Sequence, residues 1–174
     1  MRTGLKIMSL LCLLLIIPSK SVSQNTQIYK HPTLNIQFEA SKNWIQIPRP
    51  EDKLIYEVKS PDSIIHVILW YTTTEQSGRS YLEKMASMKD LIVNDKPSLR
   101  QINNNDVWVL NVPGYEQKIP IRTLLAVISH GKSQIYPKEN CLFIVQIWCK
   151  KKNYEKYKTT MENILSSIQL TEKK

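Results

Sequence analysis

The chemistry this sequence can offer rests on few side chains: Cys141 and Cys149, His31, His66 and His130, and the run Lys150-Lys151-Lys152. A thiol becomes a nucleophile when a base stands beside it, so Cys149 with His130 or His66 is the thiol and imidazole combination to test. No Gly-x-Ser-x-Gly elbow occurs. Ser129 and His130 are adjacent, and adjacent side chains on a strand leave it on opposite faces. The histidines are far apart, and no His-x-x-x-His, Cys-x-x-Cys or paired-carboxylate spacing supplies a local metal site. After residue 23 the glycines are Gly78, Gly114 and Gly131, too few and too scattered for a loop that cradles a phosphate or a dinucleotide. The expectation is a protein with no catalytic residue, no cofactor and no metal.

Cys141 and Cys149 bound a nearly continuous apolar stretch that reads as a buried strand. Eight extended residues separate the two Cα atoms by roughly 26 Å, whereas a disulfide spans at most about 7 Å. They are not expected to bond to each other, and two buried thiols acting as small hydrophobes outweigh an intermolecular bridge.

Lys150, Lys151 and Lys152 follow that strand and, with Lys156 and Lys158, offer a basic edge for a negatively charged protein or an anionic surface. The competing reading is a solvated cluster that blocks edge-to-edge aggregation. The whole chain carries 24 basic and 15 acidic residues, a net charge of +9.

Part of that charge sits in a leader. Arg2 and Lys6 precede an apolar run over residues 7–17, then come Pro18 and the small-x-small tripeptide Ser21-Val22-Ser23. This is the layout of a cleavable secretory signal over residues 1–23. The run is about half the roughly 20 apolar residues a membrane span needs, so no stable transmembrane anchor is expected after cleavage. Cys12 follows Leu10-Leu11, which argues against lipid attachment there. Loss of Arg2, Lys6 and Lys20 leaves 21 basic and 15 acidic residues, so residues 24–174 carry +6. The destination is periplasm or medium, where nucleic acid is a poor candidate partner. Residues 24–174 show no repeat or linker and are expected to form a single domain.

The elements that must position these groups follow from pattern and turn chemistry. Residues 34–39 alternate, and a second short strand over residues 44–47 stops at Pro48 and Pro50, which suggests an opening hairpin or meander. Strands over residues 53–59 and 63–72 flank Ser60-Pro61-Asp62 and should pair antiparallel. His66 shares a side with Ile64, Ile68 and Trp70 and reads as a hydrogen-bonded, partly buried imidazole. Ser80 and Glu83 form a capping-box signature for a helix near residues 81–92, with Tyr81, Met85, Met88 and Ile92 as its apolar stripe. A second hairpin joins residues 99–102 and 107–112 through Asn103-Asn104-Asn105-Asp106. Strands over residues 118–129 and 141–149 complete the sheet. A last helix near residues 154–168 follows a possible Asn153 cap, with Tyr154, Tyr157, Met161, Ile164, Leu165 and Ile168 at helical spacing. Trp70, Tyr71 and Trp108 fit core packing better than a surface platform.

The order of these segments, from "LNIQFEASKNWIQIP" through "YEVKSPDSIIHVILW" to "FIVQIWC" and "YEKYKTTMENILSSIQL", resembles the PsbP-like superfamily, including the bacterial DcrB-like exported proteins. The resemblance covers residues 31–170 and is carried by Phe38 and Trp44, the Ser60-Pro61-Asp62 turn and the closing Ile-Leu-Ser-Ser-Ile over residues 164–168. It implies an α+β domain, a mainly antiparallel sheet packed between helices as an α/β/α sandwich, used for protein association or ligand holding without recognised catalysis. A fold does not fix a function. The leading expectation is an exported, non-enzymatic protein-binding domain in an accessory, inhibitor or immunity role. A small-ligand carrier is the alternative, followed by a hydrolase whose site converges only in three dimensions.

Overall fold

The computed structural model describes residues 25–32, 34–48, 55–88, 95–133 and 135–171. The leader at 1–23, the strand start at 53–54 and Ile92 lie outside the described residues. A seven-stranded antiparallel sheet forms the centre. Its strands are β3 (Ile45–Ile47), β4 (Tyr56–Lys59), β5 (Ile65–Thr74), β6 (Ser98–Ile102), β7 (Asn105–Glu116), β8 (Ile119–Lys132) and β9 (Asn140–Lys150), in the order β3-β4-β5-β9-β8-β7-β6. A second sheet of three strands joins β1 (Thr26–Lys30), β2 (Ile36–Ser41) and β10 (Gln169–Leu170) in the order β1-β2-β10. Among the described residues the α-helices are α1 (Gly78–Met88) and α2 (Tyr154–Ser166).

β9 sits between β5 and β8 and is buried on both faces. Its alternate side chains therefore enter two cores. Phe143, Val145, Ile147 and Cys149 join Phe38, Met161, Ile164 and Leu165, so α2 and the small sheet cover one face. Leu142 and Ile144 join Leu82, Met85 and Ala86 of α1 on the other. Each buried Leu, Ile, Val or Phe contributes about 1.5–3 kcal/mol, which explains why an unbroken apolar run forms the central strand. The expected antiparallel sheet between helices is what the chain builds.

Turn chemistry sets the hairpins. The β4–β5 turn pairs Tyr56 with Leu69 and is built as expected on Ser60-Pro61-Asp62, with Ser63 following at φ 52. Ser60 Oγ accepts from the amides of Ile64 and Ile65 and donates to Asp62. At the β6–β7 turn, Asn103 and Asn104 take φ 47 and 64, the left-handed pair of a two-residue type I′ turn. Gly131, at φ 79, sits where the β8–β9 register shifts between Ser129 and Lys132, and it lets β8 run on to Lys132 past its expected end at residue 129.

Four expectations are corrected. The opening segments do not form one hairpin: β2 pairs with β1 and β10, whereas β3 pairs with β4 in the large sheet. Two outer strands, β1 and β10, compete successfully for β2, and the chain turns away at Ser41. The first helix starts at Gly78 because Ser77, rather than Ser80, caps it: the Ser80 amide donates to Ser77 Oγ at 3.2 Å. Glu83 is turned to Arg79 one turn back, at 3.1 Å, and the buried face is Leu82, Met85 and Ala86. Gly78 packs close to β7 and β8; a Cβ there would meet Ser129 Oγ at 3.1 Å and Val127 Cγ1 at 3.3 Å. Asn153 makes no side-chain cap to α2, because a short 3-10 turn, Lys151–Asn153, already holds it in a helical conformation at φ −100, ψ −9. The last helix ends at Ser166, and Gln169–Leu170 return as β10.

Candidate functional site

The lysine run lies at one end of the large sheet. Lys150 is the last residue of β9 and pairs with Ile121 of β8; Lys151 and Lys152 then occupy the 3-10 turn that leads into α2. The β7–β8 connection reaches the same end. Its two turn residues, Gln117 and Lys118, have φ 48 and 68, so the hairpin closes in two residues and delivers Ile119 and Pro120 beside the lysines. Ile119, Pro120, Lys150, Lys151 and Lys152 line a hollow of about 630 Å³. Ile119 is 43% exposed, and Tyr115, opposite Pro120 in the register, is 50% exposed.

All three lysines are exposed, and none forms an ion pair with another described residue. Glu155, in the first turn of α2, is the carboxylate nearest the lysines in sequence, Glu116 ends β7 just before the Gln117-Lys118 turn, and both are exposed. Lys156 is drawn aside onto α2, with Nζ 5.0 Å from the Tyr157 ring centre; Lys158 is exposed one turn beyond the 3-10 turn. The arrangement is three point charges around an apolar floor. Carboxylates fit the charges, and an aliphatic or aromatic side chain fits the floor. Sequence reasoning found the lysines and missed Tyr115, Ile119 and Pro120, because Gln117-Lys118 lacks the Asn or Gly that marks a tight hairpin.

The thiol and imidazole groups are kept apart. Cys149 is opposite Ile65 in register and faces the α2 core, whereas His66, one position along, points through the other face. There it stacks on Trp148, ring centres 4.1 Å apart and 8° from parallel, with Nδ1 3.5 Å from Glu57 Oε1. His130 packs on Phe143 at 5.4 Å, toward the opposite end of β9. Burial pushes the Cys149 thiol up to about 11, which disfavours the thiolate. Both Cys141 and Cys149 are free and buried. Cys141 Sγ accepts from Tyr71 at 2.9 Å; burial, then that contact, pushes the Tyr71 hydroxyl up to about 12. Trp70 and Trp108 pack at the margin of the α1 core, and Arg79 lies 5.6 Å over the Trp108 ring. Tyr71 points through the opposite face onto Phe143, so the three rings form no platform. Among the described residues no three His, Cys, Asp or Glu side chains gather as a metal site, and no helix is long and apolar enough to cross a membrane.

No protein-family model and no curated protein matches the chain. Solved structures do. Cyanobacterial PsbP (CyanoP) from Synechocystis sp. PCC 6803 superimposes with a TM-score of 0.58 at 10% identity, over 83% of this chain and 92% of that one. LpqN of Mycobacterium tuberculosis, described as involved in cell envelope biogenesis, gives 0.59 at 7% identity over 84% and 91%. A Bacteroides thetaiotaomicron VPI-5482 protein gives 0.53 at 12% identity over 85% of this chain but 48% of that one, so the present chain spans about half its length. With so little identity the likeness is one of architecture: the chain has the PsbP-like fold.

Proposed function

We propose that this chain is an exported, non-enzymatic binding domain that engages an acidic protein surface through Lys150, Lys151 and Lys152. The observation that carries the reading is the placement of three lysines, free of ion pairs with the described residues, around the apolar floor of Ile119 and Pro120. Charge alone is weak: an exposed pair contributes about 0.2–1 kcal/mol, so three would supply roughly 0.6–3 kcal/mol. The floor supplies the anchor that a stable contact also requires, while the lysines raise the encounter rate and set the register.

The shape favours a protein over a lipid surface. A concave hollow receives a projecting side chain, whereas a bilayer is met by apolar side chains that project outward. Export is supported by the signal-like composition of residues 1–23, and an accessory role by the PsbP-like scaffold it shares with CyanoP and LpqN. The test is affinity capture from the native envelope and medium with the wild-type protein and the triple variant Lys150→Glu, Lys151→Glu, Lys152→Glu. The expected result is one partner enriched by the wild type and lost by the variant; equal enrichment by both would contradict this site.

A further inference from the structure

At the other end of α2 lies a cleft of different chemistry. It occupies about 750 Å³ where the small sheet, the helix end and the β6–β7 turn meet, within the range of ligand pockets. Trp44 forms an aromatic wall, half-buried against the core behind it. Glu39 of β2, Thr160 and Asn163 of α2, and Asn25 are exposed along its rim. No side chain among these four is hydrogen bonded to another described residue, so their donors and acceptors are available to a ligand.

The mouth is held rigidly. Ser167 Oγ accepts from the Glu39 amide at 2.9 Å and donates to the Ile164 carbonyl at 2.7 Å, which ties β2 to the end of α2. Asn103 donates to the carbonyls of Ser166 and Ile168. A second hollow of about 290 Å³ shares Asn25 and Ser41 with the first and continues past Lys42 and Asn43, so the cleft is elongated.

From these features we infer that the cleft is a binding site for a neutral oligosaccharide. A pyranose ring has an apolar C–H face that lies against an indole, and a rim of hydroxyls that pair with planar amides and carboxylates. The larger hollow has no lysine or arginine in its lining and the smaller one has only Lys42, too little positive charge to favour a phosphate or carboxylate ligand. Its mixed polar lining disfavours an apolar one. The length, extended through Asn25 and Ser41, suits several sugar units. This site is separate from the lysine edge and stands or falls without it.

The experiment is a titration of ¹⁵N-labelled protein with neutral cello-, xylo-, malto- and chito-oligosaccharides, plus one uronate oligosaccharide, followed by the four indole N–H signals and the Asn163 side-chain amide. Trp44→Phe assigns the Trp44 signal. The expected result is saturable shifts at Trp44 and Asn163 with at least one neutral sugar, insensitive to salt and weakened at least tenfold by Asn163→Ala or Glu39→Ala, both exposed and outside the core. Absence of saturable shifts with every neutral sugar would overturn the inference. So would shifts that map elsewhere, survive both variants, or occur only with the uronate and vanish in salt.

Discussion

Asn103 Nδ2 donates to the carbonyl of Ile168 at 2.7 Å and to that of Ser166 at 3.1 Å, so the tip of one hairpin closes the end of the last helix. The contact joins the seven-stranded sheet to α2 just before the chain returns as β10. It requires both an amide side chain and a left-handed backbone, at φ 47.

Asn103→Ala removes two hydrogen bonds and forces a Cβ-bearing apolar residue into the left-handed region. The expected loss is about 2–4 kcal/mol. Asn103→Gly keeps the backbone freedom and loses only the bonds, so it should cost about 1 kcal/mol less. Urea unfolding of the two variants measures the difference; equal midpoints would show that the turn conformation carries no strain.

The β4–β5 turn makes a paired prediction. Ser60→Ala removes the acceptor for two amides, at 3.1 and 3.0 Å, and is expected to cost about 1–3 kcal/mol. Ser63, at φ 52, is exposed, and Ser63→Gly should raise stability by up to about 1 kcal/mol. Thermal unfolding of both variants should shift in opposite directions.

The same turn sets an acid response. The Ser60 hydroxyl above all, which outweighs the opposing effect of burial, and then the Ile64 amide and Tyr157 hold the Asp62 carboxyl below its ordinary value. A carboxyl lowered on folding contributes stability above its unfolded pKa, and the contribution is lost as pH falls below about 4. Asp62→Asn should therefore flatten the stability profile below about pH 4 relative to wild type, as read by urea midpoints between pH 2 and 6 in a common buffer series.

At the alkaline end the sign reverses. Folding raises the Cys149 thiol to about 11 and the Tyr71 hydroxyl to about 12, above ordinary values near 9 and 10. The unfolded chain ionises first, so stability present below about pH 9 declines as pH rises toward the folded values. Cys149→Ser should shallow that decline. In the native protein iodoacetamide at about pH 8 should leave both cysteines unmodified until denaturant is added; prompt native labelling of Cys149 would contradict its buried placement.

Much of this fold was legible because local chemistry and tertiary packing agree. Pro61 and Asp62 mark one hairpin, Asn103 and Asn104 another, and the 141–149 run can be buried on both faces only as a central strand. The failures are equally local in cause. Ser77 and Ser80 both suit a helix start, and the choice was made by Gly78, whose missing side chain lets the first turn approach Ser129 and Val127. β1 escaped notice because Ile28 is 57% exposed and its pattern is mostly polar. β2 and β3 look like neighbours in sequence and belong to separate sheets. At the candidate site the charges were visible in the sequence, while the apolar floor depends on a turn at Gln117-Lys118 that composition does not advertise.

The central claim is that Lys150, Lys151 and Lys152 contact carboxylates of a partner protein. Carbodiimide cross-linking tests it most directly, because it joins amines only to carboxylates already in contact. Applied to the protein in extracts of its native cells and their medium and read by peptide mass spectrometry, it should give one intermolecular product whose linked peptide from this chain contains these lysines. That product should disappear in the triple Lys→Glu variant and fall steeply with added salt. Cross-links scattered over other lysines of the chain, or a product that persists in the triple variant, would contradict the lysine edge as the binding site.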